Sequence, residues 1–187
     1  MSYLIRKARQ SDSEPIAGLM LMAMEEIVYA FLNRRDHQKA LLFMRRLVEQ
    51  EGNQYSYQHT WVAEEEGQVV GSITCYKGSE LHALREPVLE LLATGYGRVV
   101  HPEDETEAGE YYVDTIAVHP SHRGKGLGTG LLRFVINRIV KQAGQTVGLL
   151  VDVDNPKAKN LYLQLGFVKV GDRQLMQHPY EHLQISP

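Results

Sequence analysis

Val113-Asp-Thr-Ile-Ala-Val118 is followed, across four residues, by Arg123-Gly-Lys-Gly-Leu-Gly128, which opens an amphipathic stretch over residues 127–140. Strand, glycine-rich turn and helix in that order make an anion site. Glycines at 124, 126 and 128 remove the Cβ atoms that would hold a phosphate off the backbone, and the unpaired N–H groups of the helix's first turn then point at it. A diphosphate-bearing ligand is the first expectation. Spacing excludes two nucleotide-binding arrangements. A P-loop needs a glycine five residues before Gly124 and a Ser or Thr after Lys125, where this chain has His119 and Gly126. A dinucleotide fingerprint fails in both frames, because its last glycine would fall at Thr129 or Leu131.

What remains is R-x-x-G-x-G, written Arg123, Gly126 and Gly128. It resembles the acetyl-CoA signature of the GCN5-related N-acetyltransferases (GNAT family). A second constellation, Asn155, Ala158, Tyr162, Gly166 and Phe167, follows a β-like run over residues 147–153 and is similar to that family's other signature. Its local physics is coherent. Asn155 can cap a helix, Pro156 suits the first position, Gly166 can end it, and Ala158 and Tyr162 stand one turn apart on one face. Taken alone, Asn155 reads as a cap and Tyr162 as a packed aromatic; the two motifs in the right order favour a coenzyme site.

Bulk properties narrow the class. A chain of 187 residues suits a single domain, residues 1–187, and nothing in it reads as a linker. Residues 1–8 lack an apolar leader segment, and the greasiest stretch, residues 19–32, is interrupted by Glu25 and Glu26, so neither secretion nor a membrane partner is expected. Cys75 is the only cysteine, which fits a reducing, cytoplasmic location. A net charge of −3 argues against a nucleic-acid partner. Between residues 99 and 122, where Lys and Arg are absent, Glu103, Asp104, Glu105, Glu107 and Glu110 crowd just ahead of the first motif, with Asp114 inside it. They read as a solvated acidic loop or as a surface attracting a cationic amine.

Patterning gives a strand over residues 3–8. A capping box at Ser11 and Glu14 then opens a helix whose apolar stripe runs from Ile16 to Phe31, and a second helix covers residues 39–50. Residues 61–64 and 69–76 read as a hairpin with a bulge at Gly71, residues 81–93 as a short helix, and residues 167–170 and 181–185 as closing strands. The expected fold is α/β (α+β): a mixed, mostly antiparallel sheet with helices on both faces and a central parallel strand pair, as the family resemblance also implies. Residues 77–110 form a long insertion, expected to be a wall or lid of the acceptor pocket.

The resemblance implies an acetyl-CoA-dependent N-acetyltransferase acting directly, in a ternary complex, on a small-molecule or peptide amine. Coenzyme contacts would come from Ile116, Ala117 and Val118 on the strand, from Arg123, Gly124, Lys125, Gly126, Leu127, Gly128 and Thr129 in the loop and helix start, and from Asn155, Ala158 and Tyr162. Tyr162 would protonate the coenzyme sulfur, and the Ile116 N–H would face the thioester carbonyl. An ammonium with a pKa near 10.4 is only about one part in two thousand neutral at pH 7, so a base is useful. Many relatives carry a glutamate where this chain has Tyr112. Period-two geometry places Glu110, Tyr112 and Asp114 on one face, and Asp114 is the first choice as base, ahead of Glu110.

Other features weigh less. Cys75 reads as a small core residue rather than an acyl carrier. His119 with His122, and His178 with His182, lack a carboxylate or cysteine at ligand spacing, so no metal is expected. Tyr55, Tyr57, Tyr76, Tyr111 and Tyr112 suit either a pocket lining or the core edge. Glu25 and Glu26 are expected as solvated helix residues near the pocket mouth. A homodimer is the default assembly. The rivals are a CoA-binding sensor or interaction domain without a catalytic base, motivated by Tyr112, and a nucleotide-dependent transferase.

Overall fold

The computed structural model describes residues 3–187; Met1 and Ser2, which belong to the opening segment read above for a leader, lie outside them. Seven strands, β1 (Leu4–Lys7), β2 (Thr60–Glu65), β3 (Gln68–Lys77), β4 (Glu110–Val118), β5 (Thr146–Asp152), β6 (Val168–Leu175) and β7 (His178–Ile185), form one sheet in the order β1-β2-β3-β4-β5-β7-β6. Neighbours are antiparallel except for the central parallel pair of β4 and β5. Helices α1 (Ser13–Leu32), α2 (His37–Glu49) and α3 (Leu81–Tyr96) share one apolar core, with Ile16, Met20, Phe43 and Leu92 fully buried. Helices α4 (Leu127–Val135) and α5 (Pro156–Gln164) cover the other face over Ile73, Val147 and Leu183. The mixed sheet with one parallel pair and flanking helices is the architecture expected from the sequence.

Local chemistry sets the element ends. The capping box expected at Ser11 and Glu14 is not formed. Instead Asp12 accepts the Arg9 N–H at 2.7 Å and receives the Arg6 guanidinium, so a short 3-10 turn precedes α1. A carboxylate held by both a backbone donor and an arginine outcompetes a serine hydroxyl for that position. Asp36 caps α2 by accepting the Lys39 N–H at 3.1 Å. Gln10–Leu32 is apolar and long enough to cross a membrane by length and composition, and half of its most apolar window is buried within the protein. The helix is broken at Met24, whose backbone is non-helical.

Two irregularities of β4 build the site. First, β4 and β5 are paired only from Glu110 with Thr146 to Val113 with Leu149. Beyond Val113 they part, leaving one edge of β4 without a strand partner over residues 114–118, where its backbone groups need another acceptor or donor. Second, the register against β3 shifts between Thr74, opposite Thr115, and Cys75, opposite Val113, so Asp114 is the extra residue of a β-bulge. Bulges redirect a side chain and are common beside functional sites.

Candidate active site

The glycine turn is shaped by backbone conformation. Gly124 and Gly126 have φ of +74° and +79°, the left-handed region, and a Cβ at either would meet open space. Gly126 caps α4, and the first bond of that helix runs from the Gly130 N–H to the Gly126 carbonyl at 2.9 Å. The N–H groups of Leu127, Gly128 and Thr129 therefore have no intrahelical acceptor and form the positive end of the helix. Arg123 turns back to donate to the Val118 carbonyl at 3.1 Å, and His122 pairs with Glu65 at 2.9 Å, which ties the turn to the β2–β3 hairpin. Leu127 is buried against Gly71, where an added Cβ would stand 2.6 Å from its Cδ2; this close approach, together with the adjacent bulge at Val70, explains the glycine.

A cleft of about 390 Å³ opens where β4 and β5 part. Asp114 and Ile116 are on one wall, and Asn155, Ala158 and Tyr162 on the other. Asn155 caps α5 by accepting the Ala158 N–H at 3.1 Å. Burial pushes the Tyr162 phenol above its ordinary pKa, so it is a proton donor at neutral pH. Of the other residues expected at the coenzyme, Ala117 is buried against Gly71 and Val118 touches the side of Gly128, while Arg123, Gly124 and Lys125 are exposed in the turn.

A narrower pocket with about 50 Å³ of free space adjoins the cleft. Met24, Ile27, Tyr112, Asp114 and Leu175 line both spaces. The insertion supplies Arg85, Val88, Leu89, Pro102 and Glu105 to the narrow pocket, so it does form a wall there. At its base lies a buried polar group that was not recognised in the sequence. Gln54 Nε2 donates to both Glu105 Oε1 and Asp114 Oδ2 at 3.1 Å, and the Tyr76 hydroxyl donates to Asp114 at 2.8 Å. Arg85 pairs with Glu105 and also donates to Asp104 at 2.9 Å.

Burial pushes the Asp114 carboxyl up to about 7, the Glu105 charge adding to it while Tyr76, Gln54 and Arg85 oppose. Glu105 is also raised by burial, against the charge of Arg85. The two carboxyls titrate as a pair, and Arg85 draws the shared negative charge towards Glu105. A carboxyl poised near neutrality can accept a proton from an incoming amine.

Glu110 is placed elsewhere. It is almost fully buried, and it bonds His182 at 2.9 Å, Gln184 at 2.7 Å and Thr106 at 2.5 Å, outside both spaces. Burial raises its carboxyl, but these partners outweigh it and hold the pKa below the usual carboxylate range. The acidic stretch is likewise internally satisfied, with Glu103 accepting the Met176 N–H, Asp104 beside Arg85 and Glu107 beside Arg173. Glu103, Asp104 and Glu107 remain exposed to solvent, while Glu105 and Glu110 are buried.

The remaining candidates fall as follows. Glu25 bonds Tyr29 and His37, and Glu26 pairs with Arg35, on the solvated side of α1. Tyr55 and Tyr112 line the narrow pocket, whereas Tyr57 bonds Glu51. Burial pushes the Cys75 thiol up to about 12, which leaves it without nucleophilic thiolate. His178 does have carboxylates nearby, contrary to the sequence expectation. Asp152, Asp154 and His178 place one ligand-type atom each within 4.8 Å of one another, although Asp152 already accepts the Asp154 N–H in a turn.

Comparison with known proteins bears on the fold and the family. A crystal structure of an N-acetyltransferase from Staphylococcus aureus Mu50 matches with a TM-score of 0.87 at 28% identity, over 97% of this chain and 100% of that one. An acetyltransferase crystal structure matches at 0.82 and 30% identity, over 98% of each chain. N-alpha-acetyltransferase RimI of Mycobacterium tuberculosis is 42% identical over 65 residues, 35% of this chain and 39% of that protein. Mycothiol acetyltransferase of Corynebacterium aurimucosum is 39% identical over 67 residues, 36% of this chain and 21% of that protein. The chain thus covers well under half the length of these two relatives. The Acetyltransferase (GNAT) family model matches residues 24–167, from the broken turn of α1 through both cleft walls to Phe167, and the chain belongs to that acetyltransferase family.

Proposed function

We propose that this GNAT acetyltransferase moves the acetyl group of acetyl-CoA directly to a primary amine, with both substrates bound together. The observation that carries the reading is the place of Asp114, the one carboxylate lining both the cleft and the narrow pocket. The free N–H groups at the start of α4 would hold the coenzyme diphosphate, and its pantetheine arm would lie along the unpaired edge of β4. The amine would enter from the narrow pocket, its apolar body against Met24, Ile27 and Leu175.

The chemistry then balances. Asp114 takes a proton from the amine, and the nitrogen lone pair attacks the thioester carbon. The backbone N–H of Ile116 stabilises the oxyanion; as it collapses the C–S bond breaks, Tyr162 donates its proton to the departing thiolate, and the second proton lost from the nitrogen restores the Tyr162 phenol. Desolvation in the pocket favours the neutral amine, and Asp114 supplies the base that Tyr112 cannot.

Thiol release from acetyl-CoA, measured across a panel of alkyl, arylalkyl and peptide amines, tests this. Release dependent on an amine supports it. Tight coenzyme binding without release by any amine would favour the sensor reading and contradict ours.

A further inference from the structure

The largest of the described cavities, about 570 Å³, shares no lining residue with the coenzyme cleft, although Tyr76 in its wall bonds Asp114 of the cleft. It sits on the α4 face of the sheet, bounded by the ends of β1, β2, β3 and β4 and by the π-helical segment Ile136–Gln142 that continues α4. We propose that this cavity is a second binding site, for a small planar anion: an aromatic carboxylate or an aromatic phosphate monoester.

Charge is the first ground. Lys7, Lys77 and Arg138 line the space, against the single carboxylate of Glu80. Among the described residues, none of the three cations is in ion-pair contact with a carboxylate. The C-terminal end of the helix brings about half a negative charge, so the balance is roughly +1.5, suited to a monoanion or dianion. Burial and the neighbouring Arg138 also lower the Lys7 ammonium from its ordinary pKa, a repulsion that a bound anion would relieve.

Shape is the second. Lys7 Nζ lies 4.7 Å from the ring centroid of Trp61 and the Arg138 guanidinium 4.9 Å from it, so two like charges gather on one indole. Trp61 and Tyr111 provide flat apolar surface beside those donors. An aromatic anion can stack on a ring and reach the cations with its acidic group. The third ground is the backbone: Arg138, Ile139 and Gln142 all come from the π-helical segment, a form that is rare and concentrated at functional sites. From Leu127 to Arg138 the helix rises roughly 16 Å, so the coenzyme's diphosphate cannot occupy both positions.

Trp61 is the only tryptophan in the chain, so its fluorescence reports this cavity directly. Benzoate, phenyl phosphate, inorganic phosphate and phenethylammonium are titrated into the full-length protein at near-physiological salt. We expect a saturable change in emission with phenyl phosphate or benzoate, much weaker binding of inorganic phosphate and no response to the cation. Lys7→Gln and Arg138→Gln should each weaken the aromatic anion roughly tenfold, the loss of one charge-assisted hydrogen bond, and leave acetyl-CoA affinity unchanged. No saturable response to either aromatic anion overturns the proposal. So does equal binding of inorganic phosphate, or unchanged affinity in both variants.

Discussion

Asp114 and Glu105 accept hydrogen bonds from the same nitrogen, Gln54 Nε2, at 3.1 Å each. Residues 54, 105 and 114 come from the segment before β2, the insertion and the β4 bulge. Two carboxyls sharing one donor in a buried place cannot both ionise easily, and Arg85 decides which holds the charge.

Asp114→Asn should remove activity and stabilise the protein at the same time. The folded pKa of Asp114, about 7, lies above its ordinary value of 3.8, so folding favours the protonated form. Its contribution to stability is complete below the unfolded pKa and is lost as pH rises through about 7. The asparagine variant should therefore melt several degrees above wild type at pH 8 and close to it below about pH 4, while kcat falls by about 10²–10⁴. Equal melting shifts at both pH values, followed by calorimetry, would remove the raised pKa from the account.

Glu105→Gln leaves Arg85 with Asp104 as its one carboxylate partner, beside the carbonyls of Pro102 and Glu103. Breaking a buried ion pair costs about 3–5 kcal/mol, and the remaining partner places this change at the low end, a fall in Tm of roughly 10 °C. Losing the Glu105 charge also lets Asp114 ionise more easily. The acid limb of kcat/KM should move to lower pH; substrate ionisation is common to both proteins and cancels in the comparison. An upward movement would contradict the pairing.

For Tyr162→Phe the hydroxyl is lost and the ring remains against Phe167. We expect kcat to drop by about 10²-fold with acetyl-CoA affinity within a factor of two or so, as for a group needed only in the transition state. Steady-state kinetics with calorimetric binding separates this from a packing role, which would weaken coenzyme binding as well.

Gly126→Ala forces an L-residue to φ +79° at the start of α4. The strain is about 1–2 kcal/mol, and the first-turn N–H groups can escape it only by moving. Acetyl-CoA should bind roughly tenfold more weakly in calorimetry, and a variant with wild-type affinity would exclude this turn as the diphosphate site.

The sheet, its single parallel pair and the helices on both faces were legible because period and turn chemistry are local: Gly126 opens α4 and Asn155 caps α5 within a few residues of the motifs that name them. Asp114 was legible as a carboxylate on a strand, but its partners were not. Gln54 and Glu105 reach it across 60 and 9 residues of sequence, and no spacing rule links a helix-to-strand segment with an insertion. Glu110 shows the converse. Strand alternation gives it the face shared with Tyr112, yet His182 and Gln184, more than seventy residues away, bind it into the fold. The start of α1 moved for a nearer reason, because the Arg6–Asp12 pair formed across β1 and the turn overrode the Ser11 pattern.

A titration of side-chain carboxyl ¹³C signals in wild type and Asp114→Asn tests the central claim most directly, since it needs no knowledge of the acceptor. We predict one carboxyl titrating near pH 7 in the wild type and missing from the variant. Titration of every carboxyl below about pH 5 would contradict a base poised at the junction of cleft and pocket.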